Sequence, residues 1–267
     1  MGNSIGHVLV TGASAGLGAE FARAYAAQGR SLVLVARREE RLVALARELT
    51  RAHGVDVRHF ALDLARPDAC ARLEAWCDEQ GLTIDVLVNN AGAGAQGTFA
   101  ELERTRQLDL LALNVVAATD LAHRFGVRMA ARGQGGILNL ASTAGFMPGP
   151  GMAVYYASKA YVLSLSEALS AEFARHGVRV TALCPGPTET EFRVAAGRPR
   201  SRILDAVAMQ PEPVVAAGMR ALERGRPVCV PGLFNTLCCV AVRFLPRAFV
   251  RALVARIQLP ERPTSER

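Results

Sequence analysis

Apolar and polar positions alternate along this chain in two textures. Residues 5–10 (IGHVLV), 31–36 (SLVLVA), 55–62 (VDVRHFAL), 84–89 (IDVLVN), 135–140 (GGILNL) and 177–183 (GVRVTAL) are mostly apolar runs of strand length. Such near-continuous apolarity suits a sheet covered on both faces. Between these runs, 17–28, 38–52, 66–80, 99–130 and 152–176 carry apolar residues at helical spacing with charged positions on the other face. Strand alternating with helix at this spacing predicts an α/β fold: a doubly wound parallel sheet with right-handed crossovers and helices on both faces.

The C-terminal third is less regular. Residues 188–209 are polar and arginine-rich, and they read as a flap over a substrate. A helix over 211–225 opens at Pro211 or Pro213 and closes at Gly225, and 227–230 (PVCV) is a last short strand. In 233–257, Arg243, Arg247 and Arg251 recur every four residues among Phe244, Leu245, Phe249, Val250, Leu253 and Val254, which predicts a basic amphipathic helix starting or breaking near Pro246. That element suits packing on its own domain or a partner subunit, peripheral contact with an anionic membrane, or a cap over the substrate. With no repeat, low-complexity tract or linker, residues 1–267 read as a single domain.

Composition narrows the function. The chain has 267 residues, 51% hydrophobic and 21% charged, and 24 glycines without a three-residue period, so it is neither disordered nor collagen-like. The longest uncharged candidate for a membrane span, Pro227 to Val242, is broken by Pro231 and Gly232. The N-terminus shows no secretion signal, and Gly6 stands where an acyl-transfer pattern needs Ser or Thr, so a cytoplasmic location is expected. Six scattered cysteines and five histidines form no metal motif, so no metal is expected. The +7 charge lies entirely in the tail, where 13 arginines face six acids from Glu191 onward; with only 6% aromatic residues, nucleic acid is not an expected partner. Sharper than the net charge is its makeup, because Lys159 is the only lysine among 31 basic residues. A lone lysine marks a place where a compact cation with a depressible pKa matters.

Directly after the first strand comes Thr11-Gly12-Ala13-Ser14-Ala15-Gly16-Leu17-Gly18, opening the first helix. Glycines there allow a tight turn and close approach to a pyrophosphate, which the helix N-terminus attracts. The second strand ends at Ala36, where a carboxylate would take the ribose hydroxyls of NAD, and is followed by Arg37 and Arg38, which offer a fork for a 2′-phosphate. NADP(H) is therefore the expected cofactor.

These residues carry a family resemblance. The pattern TGxxxGxG, matched by Thr11 to Gly18, together with Asp63 in Leu62-Asp63-Leu64 and the NNAG motif at Asn89-Asn90-Ala91-Gly92, resembles the short-chain dehydrogenase/reductase family in its NADP-preferring form, from about residue 5 to Gly186. The resemblance implies a Rossmann-like fold, with Asp63 and Leu64 at the adenine and Asn90, Ala91 and Gly92 along the cofactor. It also implies that Pro185, Gly186 and Thr188 of Cys184-Pro185-Gly186-Pro187-Thr188 lie beside the nicotinamide, with Thr188 touching its carboxamide.

Tyr155 and Lys159 stand at i and i+4 in Tyr155-Tyr156-Ala157-Ser158-Lys159, on one helix face, whereas Tyr156 points about 100° away. A phenol of pKa about 10 becomes a usable acid or base when an ammonium stabilises its anion. The resemblance adds Ser142, which would hydrogen-bond the reacting oxygen, and Asn114, which would hold a water linking Lys159 to solvent; Thr143 and Ser158 are the nearby decoys. Cys184 reads as a buried residue, not a nucleophile.

The reading that follows is an NADP-dependent oxidoreductase in which hydride passes between cofactor and a carbonyl compound or alcohol, with Tyr155 exchanging the proton and Lys159 also holding the nicotinamide ribose. An isomerase, dehydratase or epimerase on the same fold, and a non-catalytic NADP(H) sensor, are the alternatives. Phe146, Met147, Met152 and Phe192 predict an apolar pocket for a lipophilic substrate, while Arg193, Arg198, Arg200 and Arg202 could meet an acidic group. By resemblance, the helices over 99–130 and 152–176 would join a homodimer or homotetramer.

Overall fold

The apolar runs become a seven-stranded sheet in the computed structural model, which describes residues 6–197 and 206–259. Its strands are β1 (His7–Thr11), β2 (Leu32–Ala36), β3 (Val57–Ala61), β4 (Ile84–Asn89), β5 (Gly135–Leu140), β6 (Val178–Leu183) and β7 (Val228–Cys229). All pair in parallel, in the order β3-β2-β1-β4-β5-β6-β7. The chain winds outward from β1 to β3, then returns to lay β4 beside β1. That reversal opens a crevice beyond the strand ends, where open α/β sheets bind ligands.

Two-sided burial explains the unbroken apolar runs. Val8 and Val10 of β1, with Leu32 and Leu34 of β2, face one core; Leu9, Val33 and Val35 face the other. The first core takes α1 (Gly16–Ala27), α2 (Glu39–His53) and α8 (Pro211–Glu223) through Phe21, Tyr25, Leu42, Leu45, Val214 and Met219. The second takes α3 (Ala69–Glu79), α5 (Ala118–Arg132) and α6 (Ala153–Ala174) through Leu73, Leu121, Phe125, Met129, Leu169 and Phe173. A buried amide chain crosses between elements on this side: Asn89 Nδ2 donates to Ala118 O and Asn139 Oδ1, and Asn139 Nδ2 donates to Ser166 Oγ.

The long helix predicted over 99–130 differs in two ways. It begins only at Arg104, as α4 (Arg104–Leu111), and passes through a π-helical segment, Ala112–Ala117, before continuing as α5. Over Arg104–Arg132 it has 29 residues and is apolar enough to cross a membrane by length and composition, but 44% of its most apolar window is buried within the fold. Uncharged runs do not single it out because charges interrupt it.

The C-terminal third holds α7 (Phe192–Ala195), α8, α9 (Leu233–Ala241) and α10 (Arg247–Gln258). Pro211 opens α8 and Pro246 caps α10, as the sequence pattern suggested. A bridge joins Thr188 to Met209, near the two ends of the segment expected to form a flap. Arg198, Arg200 and Arg202, named above as flap cations, lie outside the described residues.

Candidate active site

Three glycines shape the turn between β1 and α1, each for a different reason. Gly12 and Gly16 hold φ +66° and +55°, a region that disfavours side chains. Gly18 is closed by space, since a Cβ there would overlap the Gly12 carbonyl oxygen and stand 2.5 Å from Asn90 Nδ2. The turn is tied to β4: the amides of Asn90 and Ala91 donate to Thr11 Oγ1 (3.0 and 2.9 Å), and Asn90 Nδ2 donates to Thr11 O (2.8 Å). The N-cap of α1 is Ala15, which has no side-chain acceptor, so among the described residues no cap bond meets the first-turn amides where an anion would approach.

Every cofactor or catalytic position named from the sequence except Gly18 and Asn114 lines one cavity of about 1170 Å³. Gly18 lies beneath the turn, and Asn114 lies behind the wall, 1% exposed. Arg37 and Arg38 stand exposed at one end of the cavity. Arg38 Nε and Nη2 both donate to Ser14 Oγ at 3.1 Å, joining the end of β2 to the glycine turn. Asp63 accepts from the Ala65 amide at 3.1 Å. A dinucleotide fits these residues: the glycines leave no Cβ in its path, the bare helix terminus suits a pyrophosphate, and the arginines suit a phosphate.

At the other end, Ser142 follows β5 and caps a 3₁₀ turn, Thr143–Phe146. Its Oγ accepts from the Ala144 amide (3.1 Å) and donates to Pro185 O (3.3 Å). Lys159 Nζ donates to Leu140 O at 2.6 Å and lies 5.8 Å from the centroid of the Tyr155 ring. Burial pushes its ammonium down from 10.5 to about 8. Tyr155 and Lys159 lie one turn apart on α6, and Gly145 lets the Ser142 turn approach: a Cβ there would stand 2.8 Å from Lys159 O.

Asn114 sits in the π-helical segment. Its Oδ1 accepts from the Ala93 amide (2.8 Å), while Nδ2 donates to Ala93 O (2.9 Å) and Ser158 Oγ (3.0 Å). It therefore clamps the loop after β4 to α6. Gly92 separates it from the lysine, for a Cβ there would stand 3.3 Å from Asn114 Oδ1 and 3.5 Å from Lys159 Nζ.

Some expectations need correction. Phe146 does not line the cavity; it packs at the 3₁₀ turn against the cluster of Ala141, Val162, Ala182 and Cys184. Met152 is 1% exposed, buried against Gly94 where α6 begins, and is likewise absent from the wall. Met147, Phe192 and Arg193 do line it. Tyr156, about 100° round the helix from the face of Tyr155 and Lys159, also lines the cavity, where Gln258 Nε2 of α10 donates to its Oη at 2.9 Å. Cys184 is fully buried with its thiol pKa pushed up by desolvation. Thr190 and Glu191, within the region from Thr190 onward expected to line the substrate, also stand on the wall, whereas Gln258 was missed because spacing gives no signal of an inward turn there.

A parallel doubly wound sheet with a glycine-lined dinucleotide turn and a Ser-Tyr-Lys set in the same cleft defines a nucleotide-dependent oxidoreductase. Residues 6–200 match the short chain dehydrogenase family, and the chain belongs to it. A ketoacyl reductase of the granaticin polyketide synthase from Streptomyces violaceoruber is 39% identical over 186 residues, covering 68% of this chain and 67% of that protein. A short-chain dehydrogenase from Sphingobium yanoikuyae, solved in complex with NADPH, is 34% identical with a TM-score of 0.81, covering 98% of this chain and 100% of that one. The bulky-bulky ketone specific alcohol dehydrogenase of Comamonas testosteroni is 32% identical with a TM-score of 0.76, covering 91% and 94%. The match spans 52% of the length of a very-long-chain 3-oxoacyl-CoA reductase from Phaeosphaeria nodorum and 67% of the granaticin ketoacyl reductase.

Proposed function

We propose that this chain interconverts a lipophilic carbonyl compound and the corresponding secondary or primary alcohol with NADP(H) as cofactor. The observation that carries the reading is convergence: Ser142, Tyr155 and Lys159 share one cavity with the glycine turn and Arg37 and Arg38. The NADPH complex of the Sphingobium relative supports the cofactor. Gly12, Ser14, Ala15, Gly16 and Leu17 hold the pyrophosphate, Arg37 and Arg38 the 2′-phosphate, and Asp63 and Leu64 the adenine. Asn90 to Gly92 and Pro185 to Thr188 flank the remainder. When bound, the dinucleotide supplies or accepts the hydride.

The chain's own groups manage the proton. Tyr155 gives its hydroxyl proton to the carbonyl oxygen during reduction and recovers it through Lys159, with Asn114 holding the water that leads to solvent. Ser142 donates to the developing oxyanion after releasing Pro185 O. Lys159, titrating near 8, lies close enough to neutrality to pass a proton.

Met147, Tyr156 and Phe192 give the substrate end apolar walls, and the bulky-ketone relative supports a large substrate. Residues 188–209 serve as its flap, and α10 caps it through Gln258. Leu233, Phe234, Leu237, Phe244, Phe249 and Leu253 are exposed on the 233–257 element beside Arg243, Arg247 and Arg251. This face supports contact either with a partner subunit of a homo-oligomer or with an anionic membrane. Sedimentation with and without phosphatidylserine vesicles separates the two.

The test of the reaction is NADPH oxidation against a panel of bulky and small ketones, with Tyr155→Phe as control. Turnover confined to the wild type supports the reading. Near-normal turnover by Tyr155→Phe overturns it.

A further inference from the structure

Three successive residues of the segment after β6, Thr190, Glu191 and Phe192, cross the whole cleft. The Thr190 side chain closes on the glycine turn, with Cβ 3.2 Å from where a Gly16 Cβ would stand. Phe192 reaches the catalytic end, its ring 5.4 Å from that of Tyr155. Between them, the Glu191 carboxylate lies among the arginines at the end of β2 and the start of α2. Arg38 Nη1 donates to Glu191 Oε2 at 3.0 Å, and Arg41 Nη1 donates to Oε1 and Oε2 at 2.8 and 3.0 Å. The same Arg38 guanidinium holds Ser14 of the pyrophosphate turn. Beyond this point the segment is fastened again, as the Gln96 amide donates to Ala196 O at 2.9 Å.

A carboxylate held by two guanidiniums has the charge and acceptor geometry of a phosphate monoester. We propose that Glu191 is the protein's own counter-ion for the 2′-phosphate arginines, displaced when that phosphate arrives, and is thereby a determinant of cofactor discrimination. The inference rests on the reading of Arg38 as a phosphate ligand. It adds Arg41, one helical turn further along α2, to the same anion site. Binding of NADP(H) then exchanges one anion for another at these arginines, whereas binding of NAD(H) leaves the Glu191 pairs in place. The exchange also frees the middle of a strand of chain whose neighbours touch Gly16 and Tyr155, which links the phosphate end of the cleft to its catalytic end. The pairs are about half exposed, so each is a modest competitor that a doubly charged phosphate can replace.

The test is calorimetric titration of the wild type and Glu191→Gln with NADPH, NADH and 2′,5′-ADP, at low and moderate salt. Removing the competing carboxylate is expected to tighten NADPH and 2′,5′-ADP by about three- to tenfold, as for loss of a modest surface competitor, and to leave NADH nearly unchanged. Salt dependence of NADPH binding should steepen, since the phosphate no longer replaces an internal anion. Unchanged or weaker NADPH binding by Glu191→Gln, or equal tightening of NADPH and NADH, overturns the inference. A wild type that binds NADPH and NADH alike overturns instead the phosphate reading on which it stands.

Discussion

Lys159, the only lysine of this chain, has its Nζ buried beneath Gly92 and bonded to Leu140 O, where a compact cation can shift its pKa as arginine cannot. Its pKa falls from 10.5 to about 8, so between those values the folded state binds fewer protons than the unfolded chain. Stability therefore rises with pH across that window, and the burial cost is fully present below about 8. Denaturant unfolding of wild type and Lys159→Met at pH 7 and pH 10 should show the wild type gaining relative to the variant. A constant difference would contradict the buried cation. Ser142 has two structural bonds besides its proposed chemistry, so Ser142→Ala should lower kcat by about 10²–10³-fold, as for loss of an oxyanion donor. It should also cost about 0.5–2 kcal/mol, as for loss of a turn-capping hydroxyl, measured by thermal unfolding. Tyr155 and Lys159 were legible from spacing alone, because an i,i+4 pair fixes a shared helix face. Ser142 was chosen over Thr143 only by motif; both line the cavity, and Ser142 caps the turn from an extended conformation.

The glycine turn and the π-helical segment differ in how far periodicity could reveal them. Glycine spacing announces a turn, and the structure adds why Gly18 differs from Gly12: it leaves room for the Gly12 carbonyl and the Asn90 amide. Gly18→Ala should therefore weaken NADPH and NADH equally, whereas Arg38→Gln should weaken NADPH alone; fluorescence titration of both variants checks the contrast. The π segment was not legible, since one widened turn barely alters apolar spacing. It places Asn114 where its amide holds both backbone groups of Ala93. Asn114→Ala should lower stability by about 1–3 kcal/mol for each buried group left unpaired, and lower kcat with it. Thermal melts and steady-state assays read the two effects, and an unchanged melt would contradict the clamp. The pairing of Glu191 with the arginines was not legible, because a polar residue on irregular chain gives no period from which to infer direction.

Across the whole molecule, legibility follows burial. The sheet could be read because strands buried on both faces must be apolar throughout, as Val33 to Val35 are on both sides of β2. The cofactor end followed from it, since the first strand–turn–helix of such a sheet lies at the topological reversal. The C-terminal helices were legible by their prolines, but what the 233–257 element packs on was not, because its apolar residues face outward: Leu233 is 76% exposed and Phe234 60%. Their link to the site through Gln258 is a tertiary contact without a local pattern. The fold, the glycine turn, the arginines and the Ser-Tyr-Lys set all meet in one claim, that the cavity binds a 2′-phosphorylated dinucleotide. Calorimetric titration of the wild-type protein with NADPH and with NADH tests it without any assumption about substrate. Markedly tighter NADPH binding is the expected result; equal affinities, or no binding by folded protein, would contradict it.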